Sequence, residues 1–184
     1  MLAVSALILA GGRAARMGGI DKTAIVVDGE SIFQRQVRVL APLVSEIIVS
    51  ARADISGYRC VRDVADAVGP LAGITAGLEV ATTEWLLVIA GDMPYISEPV
   101  IRLLFDRGGD EASAFRIAGR PEPLFSLLRV EPAKRAAHEL IAQGQMRAAG
   151  LLEALRVAWV DEDALRAVDP ALASVKSINT PADL

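Results

Sequence analysis

The chain has 184 residues, 53% of them hydrophobic and 23% charged, with 19 Lys and Arg against 23 Asp and Glu. That length suits one domain over residues 1–184, with a core large enough to need neither disulfides nor a structural metal. The acidic balance, with no Lys/Arg run longer than two, argues against a nucleic-acid groove or an anionic membrane surface.

Met1–Ala10 has the apolar character of a signal-peptide core, but its cations, Arg13 and Arg16, come after it instead of before it. Trp85–Ala90, the longest other apolar run, is far shorter than the roughly 20 residues that span a bilayer. Cys60 is the only cysteine, which rules out an intrachain disulfide or a Cys-based zinc site and fits a reducing compartment. The expectation is a soluble cytoplasmic protein.

In chain order, Ser5–Leu9 (SALIL) is an unbroken apolar run that ends at glycine. Ser31-Ile-Phe-Gln34 is a capping-box pattern, and Phe33, Val37, Leu40 and Val44 continue it at helical spacing. Glu46–Ala51 (EIIVSA) is β-branched, and Tyr58–Asp63 (YRCVRD) half alternates. Gly69-Pro70 opens a helix that carries Ile74 and Leu78, with proline where a missing N–H costs nothing. Trp85–Ala90 (WLLVIA) is apolar throughout. Ser97-Glu98-Pro99 begins a further helix closed by Gly108-Gly109, and Glu131–Gln143 another, stopped at Gly144. Between these two, SAFRIA and PLFSLL flank GRPE (Gly119–Glu122) as strand, turn and strand. Short apolar strands alternating with helices specify a three-layer α/β/α sandwich around a mostly parallel, Rossmann-like sheet.

In such sheets ligands bind beyond the carboxyl ends of the strands, so the residues just past each strand are informative. After SALIL come Ala10-Gly11-Gly12-Arg13; after EIIV, Ser50; after YRCVR, Asp63; after WLLVIA, Gly91-Asp92. Glycines let the backbone approach a phosphate, and cations offset its charge. Magnesium needs only one or two carboxylates beside phosphate oxygens, so Asp92 alone would be enough. Together these residues suit a nucleoside triphosphate with a divalent metal. Walker A does not fit, because Ile20-Asp21 precedes Lys22-Thr23, and G-x-G-x-x-G is absent.

Leu9–Lys22 (LAGGRAARMGGIDK) resembles the signature loop of the molybdenum cofactor guanylyltransferases (MobA type) of the nucleotidyltransferase superfamily. Gly69–Gly73 (GPLAG), Leu87–Pro94 (LVIAGDMP) and Ser177–Pro181 (SINTP) agree with that family in order and spacing, over nearly the whole chain. The resemblance implies transfer of GMP from GTP to the phosphate of molybdopterin (molybdenum) cofactor, with release of pyrophosphate. By position it assigns Leu9, Ala10, Gly11 and Gly12 to the base and phosphate loop, and Lys22 to the phosphates. It assigns Asp63 to a GTP contact and Asp92 to Mg²⁺ and GTP. LAGG together with PLAG resembles the guanylyl branch more than the cytidylyl branch.

Under this reading Asp92, Lys22 and Arg13, with Arg16, hold the charge that develops in the reaction, and no protein nucleophile is required. Ser50 stands where family members often carry Asn, and Pro121-Glu-Pro-Leu124 replaces a His-Pro-Thr version; both loosen the assignment. Asn179 and Thr180 are pterin-side residues by resemblance only, and Gln145–Gly150 is glycine-flanked and could reach the same side. The implied partners are GTP, the molybdenum cofactor, and molybdoenzymes or other cofactor-biosynthesis proteins. Two other readings stay open: a cytidylyl- or other nucleotidyltransferase for a related phosphorylated acceptor, and a non-catalytic GTP-binding chaperone for molybdoenzymes. His138 carries no partner pattern and is given no chemistry; Cys60 reads as a small buried apolar residue, and Trp85, Phe105 and Phe125 as core.

Overall fold

The structure, a computed structural model, describes residues 2–10, 25–62 and 69–178. In chain order the elements are β1 (Val4–Leu9), β2 (Val26–Val27), β3 (Glu30–Ser31), α1 (Ile32–Leu40), β4 (Glu46–Ser50), β5 (Arg59–Val61) and α2 (Pro70–Val80). Then come β6 (Trp85–Ala90), α3 (Glu98–Arg107), β7 (Ala112–Ile117), β8 (Arg120–Arg129), α4 (Val130–Ala142), α5 (Ala148–Glu153), β9 (Val157–Asp161) and α6 (Glu162–Val168). A short 3₁₀ turn comes last, at Ala173–Val175.

Seven strands form one sheet in the order β5-β4-β1-β6-β8-β7-β9. β8 runs against both its neighbours, and every other pairing is parallel. The mostly parallel sheet expected from the sequence is therefore present.

Two apolar clusters, one on each face, explain why the strands are unbroken apolar runs. Leu7, Leu86 and Val88 pack beneath Leu71, Ile74 and Leu78 of α2, Ala133 and Ala137 of α4, and Leu151 of α5. Ala6, Ile8, Leu87 and Ile89 turn the other way, onto Leu40 of α1, Val100 and Leu104 of α3, and Leu165 of α6. Successive strand residues point to opposite faces, so a strand covered on both sides has no polar alternation to show. The result is three layers: α2, α4 and α5; the sheet; α1, α3 and α6.

The helix signals hold. Ser31 Oγ accepts from the Gln34 amide at 3.2 Å while Gln34 Oε1 accepts from the Ser31 amide at 3.3 Å, a complete capping box. Pro70 stands at the first position of α2, behind Gly69. Gly69 has φ 139°, and a Cβ there would lie 2.9 Å from the Met146 carbonyl, so both its conformation and its neighbour require glycine.

Two details differ from expectation. The hairpin turn is Ala118-Gly119, not GRPE: both residues have positive φ, 48° and 75°, which is what a two-residue turn between twisted strands demands. Pro121 and Glu122 therefore belong to β8. The pairing of β8 with β6 reaches only as far as Ile89 with Phe125, so Pro121 occupies a stretch with no strand on its second side. The buried stripe of α1 is Ile32, Gln36 and Leu40, whereas Phe33 and Val37 are only partly covered and Val44 lies past the helix end at Leu40. Trp85 and Phe125 are buried as expected and Phe105 partly so; Cys60 is half-buried in β5, its Sγ accepting from the Ile55 amide at 3.1 Å.

Candidate active site

Three of the strand ends singled out in the sequence meet at one rim. The Ala10 amide donates to the Ser50 carbonyl at 2.8 Å, and the Gly91 amide donates to the Leu9 carbonyl at 3.0 Å. Leu9 and Ala10 are half-buried, Ser50 is buried, and the carboxylate-bearing Asp92 is partly exposed. A Cβ on Gly91 would lie 2.8 Å from the Leu9 oxygen and 3.2 Å from the Ala10 Cα, so only glycine allows the two strand ends this close. Leu9, Ala10, Ser50 and Asp92 are thus brought together. Gly11, Gly12, Arg13, Arg16, Lys22, Asp63, Asn179 and Thr180 lie outside the described residues.

The turn that carries Asp92 is held from several sides. The Ile178 amide donates to the Asp92 carbonyl at 2.8 Å, which brings Ile178 to this rim. Ile178 also packs with Ile25, Val27 and Ile32, joining the residues beyond the glycine loop to the start of α1. From below, Gln36 Nε2 donates to the carbonyls of Ala90 (2.8 Å) and Met93 (2.9 Å). Arg35 Nε donates to the Pro94 carbonyl at 3.2 Å, and its guanidinium lies 5.5 Å from the centre of the Tyr95 ring.

Glu122 is an acidic residue that the sequence does not single out. Between Ala114 and Phe115 the register with β8 jumps from Ser126 to Glu122, so Pro123, Leu124 and Phe125 bulge out of the β7 pairing. Ser126 Oγ donates to the Pro123 carbonyl at 2.9 Å, and Glu122 Oε1 accepts from the Leu124 amide at 3.1 Å, which steadies the bulge. Burial pushes the Glu122 carboxyl above the usual carboxylate range; the Leu124 amide draws it back, and the charge of Asp92 adds to the rise.

The donor set is the test of whether a divalent cation suits the site. Among the described residues no group of three or more His, Cys, Asp and Glu side chains gathers anywhere. Among the described residues, a metal here would rest on Asp92, with Glu122 under its charge, beside oxygens brought by the ligand. Magnesium accepts such a sparse protein shell beside ligand oxygens. The residues fit the ion.

Away from the rim, Met146 sits against Gly69, so the Gln145–Gly150 segment passes the start of α2. His138 is exposed on α4, its Nε2 lying 2.6 Å from Glu79 Oε1 in a surface contact. No helix among the described residues is long and apolar enough to cross a membrane.

Residues 6–164 match the model for the MobA-like NTP transferase domain. The chain belongs to this family of nucleotidyltransferases. It is 38% identical to a Pseudomonas paraeruginosa protein named molybdenum cofactor guanylyltransferase, over 96% of this chain and 90% of that one. Molybdopterin-guanine dinucleotide biosynthesis protein A from Archaeoglobus fulgidus superposes with a TM-score of 0.79 at 26% identity, covering 97% of this chain and 94% of its own. The 2-C-methyl-D-erythritol 4-phosphate cytidylyltransferase of Thermus thermophilus shares the fold, with a TM-score of 0.73 at 19% identity over 99% of this chain and 95% of its own. MobA-like NTP transferases thus share with this chain the sheet whose rim holds Leu9, Ala10, Gly91 and Asp92.

Proposed function

We propose that the chain transfers GMP from GTP to the terminal phosphate of molybdopterin (molybdenum) cofactor and releases pyrophosphate. The observation that carries this reading is the Gly91–Leu9 contact. It sets the Asp92 turn directly beside the strand end that enters the LAGG loop, so one ligand can span base, phosphates and metal. The name of the Pseudomonas relative, matched along nearly the whole chain, supports GTP over other nucleotides and the molybdenum cofactor as acceptor.

The chemistry is a displacement at the α-phosphorus of GTP. An oxygen of the cofactor phosphate forms the new P–O bond, and the bond to the bridging oxygen breaks, with the electron pair leaving on pyrophosphate. Asp92, with Glu122 near it, would hold Mg²⁺, which when bound supplies positive charge to the triphosphate. Gly91 and the Leu9–Ala10 strand end set the depth to which the nucleotide enters. Lys22, Arg13 and Arg16 are assigned to the phosphates by their sequence positions. An anionic phosphate is already a competent nucleophile, so the protein's contribution is orientation and charge compensation.

The test is pyrophosphate release on mixing the protein with molybdenum cofactor, Mg²⁺ and each nucleoside triphosphate in turn. Release with GTP at least tenfold faster than with CTP, ATP or UTP is expected. Preference for CTP or UTP would replace guanylyl by another nucleotidyl transfer. GTP binding without release would leave a GTP-binding chaperone role.

A further inference from the structure

Gln36 lies in the middle of the buried stripe of α1, one helical turn from Ile32 and one from Leu40, and all three are fully enclosed. A leucine or methionine would pack at such a position without any polar cost. Instead both amide hydrogens of Gln36 are used on backbone carbonyls more than fifty residues away, those of Ala90 and Met93. These carbonyls bracket Gly91-Asp92. The Met93 amide returns to the Ala90 carbonyl at 3.3 Å, so the four residues close into a turn with Gln36 at its base. Gln36 Oε1 has no hydrogen-bond partner among the described residues, so the side chain does not make its fullest set of bonds in the core. Among the described residues, its side-chain hydrogen bonds all go to the Asp92 turn.

Arg35, the preceding residue, extends the clamp. It donates to the Pro94 carbonyl and also, through Nη1, to the Val27 carbonyl at 3.1 Å. Two neighbouring side chains of one helix therefore grip the backbone just before, just after and beyond Asp92, and tie it to the chain that emerges from the glycine loop.

We propose that Gln36 is a positioning residue for Asp92, fixing the turn through the Ala90 and Met93 carbonyls so that the carboxylate meets its cation in one geometry. The proposal rests on the reading of Asp92 as the metal-holding carboxylate. Catalysis by positioning tolerates displacements of only about half an ångström, so a turn held at both shoulders matters more than its distance from the substrate suggests.

The test uses Gln36→Met, which keeps the length of the side chain, removes both donors and also removes the unpartnered oxygen. Three quantities are compared with the parent: melting temperature, binding of paramagnetic Mn²⁺ in the presence of GTP, and hydrogen exchange of the Gly91 and Met93 amides without metal. Positioning predicts a melting temperature within about 3 °C of the parent, Mn²⁺ bound at least tenfold more weakly, and faster exchange at both amides. Mn²⁺ affinity within twofold of the parent, in a folded variant, overturns the proposal, as does a fall in melting temperature with metal binding unmoved. Should Gln36→Met not fold, Gln36→Asn keeps an amide that is one methylene too short to reach both carbonyls, and the same thresholds apply. Asp92→Asn separates the two readings. If it binds Mn²⁺ like the parent, Asp92 does not hold the cation and the proposal falls with that reading. If Asp92→Asn is impaired and the Gln36 variant is not, the Gln36 proposal alone fails.

Discussion

Gly91 donates its amide hydrogen to the Leu9 carbonyl at 3.0 Å, and its Cα carries nothing that would keep the two strands apart. β1 and β6 are register neighbours up to the pair Leu9 with Ala90, and this bond continues the ladder one residue past the sheet. It ties the strand that leads into the glycine loop to the turn that presents Asp92.

Gly91→Ala probes that contact. A methyl group 2.8 Å from a carbonyl oxygen and 3.2 Å from a backbone Cα meets atoms that cannot swing aside. Overpacking of this kind costs roughly 1–3 kcal/mol. For a chain of this size each kcal/mol lowers the melting temperature by about 2–4 °C. Activity should fall further, about 10²-fold in pyrophosphate release, because the distance between the loop and Asp92 changes. Thermal melting together with single-turnover kinetics checks it; a cooler melt with full turnover would show that the spacing is structural only.

Asp92→Asn keeps the size of the side chain and removes its charge. If this carboxylate holds the cation, pyrophosphate release at saturating GTP should drop by roughly 10²-fold or more. Part of the loss should be recovered at high Mg²⁺, since Glu122 stays nearby. Turnover measured across a Mg²⁺ series decides it, and a curve superimposable on that of the parent would remove Asp92 from the chemistry.

The central strands and the helix starts are legible in the sequence because single residue types force them. Leu7 to Ile8 and Leu86 to Ile89 are apolar on both faces, Ser31 and Gln34 are spaced to cap each other, and Pro70 can stand only where no amide is needed. The hairpin turn is displaced from its expected place because Pro121 looks like a turn residue, while β8 tolerates it beyond the last paired residue of β6. β9 leaves no clear sequence signal: Val157–Asp161 is a short edge strand, and its Trp159 is covered by the Arg116 guanidinium at 4.3 Å and not by a helix-wide apolar run. At the rim, Leu9, Ala10, Ser50 and Asp92 are strand ends and can be found by counting. Glu122 comes under the charge of Asp92 from a bulge in an antiparallel strand, and Gln36 acts through carbonyls of a distant turn, so neither leaves a local pattern. A polar residue centred in the 32-36-40 stripe is the one available hint for Gln36.

Gly77→Ala tests the packing of α2 on β1. Alanine in a helix interior is favoured over glycine by about 1 kcal/mol. Here the added Cβ would lie 2.5 Å from Leu7 Cδ2 and 2.9 Å from Cδ1, and Leu7 is fully buried between the layers. The clash, roughly 1–3 kcal/mol, should outweigh the propensity gain and leave the variant less stable. Combining it with Leu7→Val should return part of the loss, which urea unfolding of the two single variants and the double variant would measure as a coupling energy. A more stable Gly77→Ala protein would mean that Leu7 has room to move.

Glu46 sets part of the acid limb of stability. Burial raises its carboxyl, but the Thr82 hydroxyl (2.6 Å), the Ser5 hydroxyl (2.7 Å) and the Thr82 amide (2.9 Å) all donate to Oε1, Arg59 adds attraction, and the net shift is downward. The folded protein therefore binds this proton less readily than the unfolded chain does. The stabilisation is full above the ordinary carboxylate value and drains away as pH falls through the lower, folded value. Glu46→Gln should cost about 1 kcal/mol near pH 7, at the low end for a charged acceptor because the group is half-exposed. The difference should shrink steadily below the ordinary carboxylate range and vanish once the parent is protonated. Urea unfolding of both proteins from pH 7 down to the acid transition checks the sign, and a difference that stays constant or grows on acidification would show that the three donors hold the neutral acid as well as the anion.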